Sequence, residues 1–253
     1  MEQLLGRALP WKHSLQLMNN LQIRDYKKEL LDDEQVPFAD IQQNMKELNI
    51  INTYLGGHAV TINGLQKIFN KFPGKRKVTI CEIGCGGGDN LLAIAKWCTL
   101  KNIAVNFIGI DIKPACIAYA KMQCSTLNAE WITADYIKAD FNNQKPDIIF
   151  SSLFCHHFKE DELVAMLQWM KENAAKGFFI NDLQRHPLAY HSIKLITKLF
   201  SKSYLVKNDA PLSVARGFTK KEWKQLLEWA GIDDYSLQWK WAFRYLVTYC
   251  NGQ

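Results

Sequence analysis

Short apolar runs alternate with amphipathic stretches over the last two thirds of the chain, and this alternation predicts strands and helices in turn. The predicted strands cover residues 78–83, 105–111, 130–133, 146–152, 178–180, 236–241 and 244–250. Helical patterns separate the first five strands, which is the order expected for a parallel sheet covered by helices. Only a short turn separates the last two strands, so we expect them to form a hairpin.

The N-terminal part of the chain carries helical patterns and no strand pattern. Residues 11–31 and 40–72 are predicted to be helical, with a break in the second stretch at Leu55-Gly56-Gly57. After the fifth strand, residues 188–204 form another amphipathic helix, and residues 209–218 are predicted to be a loop. We therefore expect an N-terminal helical cap over residues 1–74 and a second domain over residues 75–253.

A glycine-rich turn directly follows the first predicted strand, in the stretch KVTICEIGCGGGDN at residues 77–90. Glycine permits positive φ and lets a ligand approach the backbone closely. The amides at the start of the following helix favour a polar or anionic ligand group. The spacing is Glu82-x-Gly84-x-Gly86-x-Gly88, whereas a dinucleotide fingerprint would need glycine where this chain has Asp89.

This stretch resembles motif I of class I S-adenosylmethionine-dependent methyltransferases, and the resemblance covers about residues 75–250 in element order. It implies an α/β, Rossmann-like fold with a mostly parallel seven-stranded sheet and a terminal antiparallel hairpin. It also implies a lid insertion at about residues 186–218 and S-adenosyl-L-methionine as the cofactor. In such proteins the N-terminal helical segment encloses the substrate beside the cofactor pocket, or it covers an edge of the sheet.

The resemblance also implies where the cofactor binds. Acidic residues at the ends of the first three strands would lie near its amino-acid part, its ribose and its adenine; the acid after the third strand could instead cap a turn. The positions carried over to this sequence are Glu82, Gly84, Gly86, Gly88, Asn90, Asp111, Ile112, Asp135, Tyr136 and Ser151.

Further polar side chains follow the fourth and fifth strands, whose carboxyl ends would line the ligand crevice. Methyl transfer is an in-line displacement that depends mostly on positioning, and a hydroxyl acceptor also gains from a base. We predict His156 or His157 as this base, with Asp182 and Arg185 orienting the acceptor or the base. The alternatives are packing roles for the histidines and a surface ion pair for Arg185.

A zinc site is the competing use of the histidines, with Cys155, His156, His157 and His186 as ligands. Such a site needs three or four ligands that converge in space. Because the sequence does not show that convergence, we expect no metal.

Composition limits the cellular context and the partners. The seven cysteines lack CxxC spacing, no apolar run approaches the ~20 residues of a membrane span, and the N-terminus lacks a signal-peptide pattern. We therefore expect a cytoplasmic protein. The net charge of +6 comes without a dense basic block, which argues against nucleic acid as a partner.

The expected activity is transfer of a methyl group to oxygen or carbon of a small lipophilic or aromatic acceptor. The stretches at residues 55–57, 181–183 and 212–218 look like a methyltransferase subgroup associated with polyketide or quinone-like substrates. The alternatives are a catalytically silent cofactor-binding partner protein and an NAD-dependent oxidoreductase, which Asp89 argues against. Lys194, Lys198 and Lys202 on the 188–204 helix would contact an anionic membrane surface or form a solvated face. The oligomeric state is not predicted.

Overall fold

The computed structural model describes residues 21–33, 35–73, 77–141 and 144–252. Its helices are α1 (Phe38–Tyr54), α2 (Gly57–Lys71), α3 (Asp89–Leu100), α4 (Pro114–Gln123), α5 (Glu160–Asn173), α6 (Pro187–Phe200), α7 (Tyr204–Arg216) and α8 (Lys220–Trp229). Its strands are β1 (Lys77–Ile83), β2 (Ala104–Asp111), β3 (Ala129–Thr133), β4 (Ile148–Ser152), β5 (Gly177–Leu183), β6 (Tyr235–Lys240) and β7 (Arg244–Cys250). Short 3-10 turns occur at Leu30–Asp32, Tyr136–Lys138 and Cys155–His157. None of the described helices is both long and apolar enough to cross a bilayer.

The strands form one sheet in the order β3-β2-β1-β4-β5-β7-β6. The first five are parallel, whereas β7 is antiparallel to both of its neighbours. The predicted parallel sheet with a terminal antiparallel hairpin is therefore confirmed. The strand order reverses between β1 and β4, and in an open parallel sheet this is where a ligand crevice forms at the carboxyl ends.

Helices cover both faces of the sheet because successive strand residues point in opposite directions. Ile80 belongs to a buried cluster with side chains of α2 and α3, while the next residue, Cys81, belongs to a cluster with side chains of α5 and α8. Burial on both faces explains why the central strands read as continuous apolar runs.

The strand β5 is longer than its sequence pattern indicates. Asn181 and Asp182, predicted to lie in a loop, belong to this strand and pair with Leu246 and Tyr245 of β7. Both polar side chains are fully buried and keep hydrogen-bond partners, including the bond that Asn181 Nδ2 donates to Gly57 O. The loop assignment is wrong because these polar residues find partners inside the fold.

The prediction of a loop at residues 209–218 is also wrong, since most of this stretch belongs to α7. Pro211 lies inside the helix, where proline removes one backbone hydrogen bond. Burial of Leu205, Val206 and Val214 stabilises the helix despite this loss.

The predicted helix over residues 11–31 is not present in its described part. Residues 21–29 have no helix, and residues 30–32 form a single 3-10 turn. Residues 11–20 lie outside the described part of the chain. We call residues 21–33 the N-terminal strap, because backbone and side-chain bonds fasten them across the carboxyl ends of the sheet.

The predicted domain boundary at residue 74 remains a prediction. Leu65 and Ile68 of α2 share a buried cluster with Phe179 of β5 and Leu246 of β7, so the N-terminal helices contribute to the core of the sheet. The predicted lid region at about residues 186–218 coincides with the α6–α7 helix pair. This pair packs around its own small buried cluster, which includes Ile193 and Val214.

Candidate active site

A cavity of about 660 Å³ opens at the carboxyl ends of the central strands. Ligand pockets typically have volumes of ~300–1,000 Å³. Its wall combines the glycine turn, the ends of β2 and β4, the N-terminal strap, and side chains of α1, α6 and α7. The strands thus bring together segments that are far apart in the sequence.

The predicted glycines have positive φ, but they serve different purposes. A Cβ on Gly84 would lie 2.2 Å from the Phe154 ring, and one on Gly88 would lie 2.8 Å from Cys124 Sγ. A Cβ on Gly86 would meet only Met45, at 3.4 Å. Gly84 and Gly86 line the cavity, whereas Gly88 does not. Gly88 therefore serves the turn and its packing, and the space above Gly86 is left for a ligand.

Glu82 and Asn90 form a buried pair beside the glycine turn. Asn90 Nδ2 donates to Glu82 Oε1 at 2.9 Å, while Glu82 Oε2 has no hydrogen-bond partner among the described residues. Burial, together with the charges of Asp89 and Asp111, raises the pKa of Glu82 well above its usual range. The unpartnered oxygen of this cavity residue is a place for a donor group on a ligand, such as an amino group.

Asp111 lies at the end of β2 and lines the same cavity. Its two oxygens accept hydrogen bonds from the backbone amides of Gly86 and Lys113, both at 2.9 Å. Burial raises the pKa of this carboxyl group. Each carboxylate oxygen has a second acceptor site, so Asp111 can also accept two ligand hydroxyls. Ile112 follows as an exposed apolar residue of the cavity wall.

The residues after β3 also belong to the cavity wall. Asp135 lines the cavity and accepts a hydrogen bond from Ile137 N at 3.2 Å, so its turn-capping role is real. Tyr136 is buried, and its ring packs edge-on against Phe154 and Phe158. Both predicted positions therefore belong to the wall of the cavity.

Ser151 does not line the cavity, although it is one of the predicted binding positions. Its hydroxyl faces the other side of β4, 3.3 Å from Cys155 Sγ, while the next residue, Ser152, lines the cavity. Successive side chains of a strand point to opposite faces of the sheet, so only one of these two serines can face the cavity.

His156 lies between two carboxylates. Its Nδ1 is 2.8 Å from Asp182 Oδ1, and its Nε2 is 3.6 Å from Glu29 Oε1. Burial by itself would lower the pKa of His156, but the negative charges of Asp182 and Glu29 raise it to about 9. The two carboxylates therefore favour the protonated imidazole, a form that is unsuited to act as a base.

His157 is more accessible than its neighbour, with about a quarter of its side chain exposed. Its Nε2 lies 3.8 Å from Glu29 Oε2, and its Nδ1 lies 3.7 Å from Asp32 Oδ1. The rings of the two histidines are 4.5 Å apart. Both line the cavity, so the structure brings together His156, His157 and the buried Asp182.

Glu29 and Asp32, which lie beside the histidines, come from the N-terminal strap and are not among the residues predicted from the sequence. Leu30 N and Leu31 N donate to the Asp209 carboxylate at 2.8 and 3.0 Å and hold the strap on α7. Arg24 fastens an earlier part of the strap through several backbone carbonyls. No local sequence signal separates Glu29 from the other acids of the ELLDDE stretch.

Arg185 lies away from the cavity. Its guanidinium donates to Gly217 O at 2.6 Å, to the Glu222 carboxylate at 2.6 Å, and to the backbone of Gln22, while its Nε donates to Leu21 O. These bonds anchor the N-terminal strap. We therefore leave Arg185 out of the catalytic group and assign it a structural role.

The ligand set of the zinc alternative does not assemble. Cys155 is buried against Ser151, and His186 caps α6 and stacks on Phe243. Glu29, His156 and His157 do offer ligand atoms within 4.8 Å of one another. However, Glu29 already accepts a hydrogen bond from Ser213, so we continue to expect no metal.

Part of the chain matches a methyltransferase profile, and methyltransferases are among the solved structures of similar fold. Residues 80–177 match the family profile described as a methyltransferase domain. A SAM-dependent methyltransferase from Aquifex aeolicus is 20% identical with a TM-score of 0.56, over 82% of this chain and 96% of that one. Human N-acetylserotonin methyltransferase in complex with SAM is 18% identical with a TM-score of 0.59, over 96% of this chain and 66% of that one.

The plantazolicin methyltransferase BpumL, in complex with a monoazolic desmethylPZN analog and SAH, is 16% identical with a TM-score of 0.59. The alignment covers 84% of this chain and 99% of that one. At such identities the likeness is one of fold. No curated protein sequence matches this chain at a significant level.

Proposed function

We propose that this chain is a class I S-adenosylmethionine-dependent methyltransferase and that it moves a methyl group to oxygen or carbon of a small, partly apolar acceptor. One observation carries the proposal: the glycine turn, with Glu82 and Asp111, opens into the same cavity as the His156–His157 pair. A donor site and a group able to act on an acceptor are thereby joined in one cavity.

S-adenosylmethionine is the methyl donor, and the cavity residues suit its three parts. The unpartnered oxygen of Glu82 would accept from its amino group, and Asp111 would accept from its ribose hydroxyls. Ile112, Asp135 and Tyr136 would hold the adenine by apolar contact and hydrogen bonding. The space above Gly86 supports this arrangement, because a larger residue there would narrow the donor site.

The acceptor would bind between the histidine pair and the α6–α7 helices. Apolar side chains dominate this part of the wall, namely Leu48, Ile51, Leu55, Leu183, Ile193, Ile196 and Val214. Such a surface favours an aromatic or lipophilic molecule, because burial of apolar area drives its binding. Polyketide-like and quinol-like compounds are therefore the first acceptors to test.

Bound S-adenosylmethionine supplies a methyl carbon activated by the positive sulfonium, and the C–S electron pair returns to sulfur as the methyl leaves. A hydroxyl acceptor must lose its proton as its oxygen bonds to that carbon. We assign proton removal to His157, the more accessible histidine. His156, held by Asp182 and Glu29, positions His157. For a carbon acceptor, the same base would remove the proton that gives an enolate.

Calorimetry and mass spectrometry test this function together. We expect S-adenosylmethionine and S-adenosylhomocysteine to bind, NAD not to bind, and one acceptor from a panel of phenols, quinols and polyketides to gain ~14 Da (one CH₂). Asp111→Ala should weaken donor binding about 10- to 100-fold, because a charged hydrogen-bond acceptor contributes ~1.5–3 kcal/mol. The exposed Asp161→Ala on α5 is the control.

Two outcomes contradict parts of the proposal. Absence of donor binding to the wild-type protein would overturn the whole assignment. Tight donor binding without methylation of any acceptor would favour the alternative, a catalytically silent cofactor-binding partner protein.

We also propose that the acceptor reaches the enzyme from an anionic lipid surface. Leu195, Leu199 and Phe200 of α6 point to solvent, with exposures of 58%, 64% and 79%. Lys194 and Lys198 flank them on the same helix. The opposite side of α6 lines the cavity through residues such as Ile193 and Ile196. An apolar stripe with lysines beside it fits an interface that contains anionic lipid.

Vesicle sedimentation tests the membrane contact. The wild-type protein should bind vesicles that contain anionic lipid and not neutral ones, and Leu199→Glu should abolish binding. Leu100→Glu, at an exposed leucine on α3, is the matched control. Unchanged vesicle binding by Leu199→Glu, or no vesicle binding at all, would overturn this contact.

A further inference from the structure

Arg244, the first residue of β7, is a buried cation whose guanidinium is largely unpaired. It is 2% exposed and belongs to the cavity wall. Its Nη2 donates to Asn52 Oδ1 at 3.1 Å, whereas Nε and Nη1 have no hydrogen-bond partner among the described residues. Burial lowers the pKa of Arg244 to about 10, while the negative charge of the nearby Asp182 acts in the opposite direction, so Arg244 remains charged at neutral pH.

An unpaired buried charge is unfavourable, and folded proteins pair such groups or bring a ligand to them. The other arginines in the described part of the chain do have partners: Arg24, Arg185 and Arg216 all donate to backbone carbonyls. The guanidinium is a planar fork of donors that matches a carboxylate. The free donors of Arg244 therefore indicate an anionic ligand group in the cavity.

The same cavity holds a second unpartnered group that complements this cation. Glu82 Oε2 is a buried oxygen of the cavity wall with no hydrogen-bond partner among the described residues. The two positions are linked through side chains: Asn52 contacts both Arg244 and Asp89, at the start of α3. A ligand end that carries both an amino group and a carboxylate would satisfy both positions.

We propose that Arg244 and Asn52 form the anion subsite of this cavity and bind a carboxylate, with the amino-acid end of the methyl donor as the favoured source. This inference rests on the proposed function, because it takes S-adenosylmethionine as the donor. An anionic group on the acceptor is the second source of the same chemistry. In either case Arg244 binds the carboxylate and takes no part in the methyl-transfer step.

A pair of ligands that differ in the amino-acid end provides the sharpest test. S-adenosylhomocysteine carries the carboxylate, whereas 5′-methylthioadenosine lacks the entire amino-acid end. Calorimetry should show that Arg244→Met weakens S-adenosylhomocysteine about 10- to 100-fold while leaving 5′-methylthioadenosine unchanged. The exposed Lys224→Met on α8 is the control for loss of one positive charge, and it should change neither affinity.

Thermal unfolding of the ligand-free protein gives an independent readout. Replacing an unpaired buried charge by an apolar residue of similar size is neutral or stabilising. Arg244→Met should therefore unfold at the same temperature as the wild type or higher, and S-adenosylhomocysteine should raise that temperature less than it does in the wild type. A purely structural arginine would instead give a lower unfolding temperature.

The outcomes distinguish the donor from the acceptor as the source of the carboxylate. They also distinguish failure of the anion subsite from failure of the proposed methyltransferase function. If Arg244→Met leaves S-adenosylhomocysteine unchanged but raises the KM of anionic acceptors only, the acceptor is the source of the carboxylate. If neither changes, or if the ligand-free variant is destabilised, the subsite is overturned while the methyltransferase function stands. If the wild-type protein binds neither nucleoside, the proposed function itself fails.

Discussion

The donor side and the acceptor side of the cavity are built in different ways. The donor side comes from one short stretch of chain, since Glu82, Gly86 and Asp111 all belong to the first strand–helix–strand unit. On the acceptor side, Glu29, His157 and Asp182 come from the N-terminal strap, the turn after β4 and the inside of β5. A local site can be deduced from spacing, whereas a site assembled from distant segments depends on the whole fold.

His157→Ala should produce the largest effect, a loss of catalysis on the acceptor side without a change in donor binding. Removing a general base lowers the rate of the transfer step by ~10²–10⁴-fold, so kcat should fall within that range. Donor affinity should stay unchanged, because the donor residues come from another part of the chain. Single-turnover kinetics with calorimetry check both, and His191→Ala, at an exposed histidine of α6, is the control. An unchanged kcat would remove His157 from the catalytic group.

Gly84→Ala and Gly86→Ala, both on the donor side, should lower the free energy of unfolding by different amounts. Both residues have positive φ, but only the Cβ on Gly84 would overlap a ring, that of Phe154. Gly84→Ala should lower the free energy of unfolding by about 2–4 kcal/mol through strain and overpacking. Gly86→Ala should carry only the backbone strain, about 1–2 kcal/mol. Urea unfolding measures both, and equal effects would contradict the packing role of Gly84.

The acceptor side should make stability depend on pH. The folded-state pKa of His156 is raised to about 9 by Asp182 and Glu29, with the His157 ring alongside. The stability that His156 contributes is fully present below its pKa in the unfolded chain, ~6.5, and is lost as the pH rises through its folded-state pKa of about 9. His156→Asn should remove a pH-dependent difference on the order of 2–3 kcal/mol between pH 6 and 9. Urea unfolding at both pH values tests this, with His191→Asn as control.

Arg185→Met should produce a smaller effect that is confined to the N-terminal strap. It removes the bonds to Leu21 and Gln22 of the strap, the bond to Gly217 O and the ion pair with Glu222. About a third of the Glu222 side chain is exposed and can regain water, so we expect a loss of about 1–2 kcal/mol. Hydrogen exchange should speed up at residues 21–33 and not at the glycine turn. Unchanged exchange in the strap would contradict this anchoring role.

The sequence-based predictions are correct where the structure depends on local spacing, and they are wrong where it depends on contacts between distant segments. The glycine turn, Asp111 and the hairpin are confirmed as structure, because each depends on local backbone preferences. Ser151 was chosen over Ser152 without knowledge of which face of β4 borders the cavity. The predicted fifth strand ends at residue 180, where the apolar run stops, but Asn181 continues the strand and its buried amide donates to Gly57 O.

Sequence alone determined the order of strands and helices, the turn after β1 and the acid at the end of β2, because these follow from periodicity, glycine freedom and local spacing. Tertiary structure decided that Glu29 lies near the two histidines, that Arg185 turns away from the cavity, and that two donors of Arg244 have no partner among the described residues. The physical reason is that hydrogen bonds and charge pairs between distant segments depend on how the chain packs. Packing also determines which polar groups remain free for a ligand.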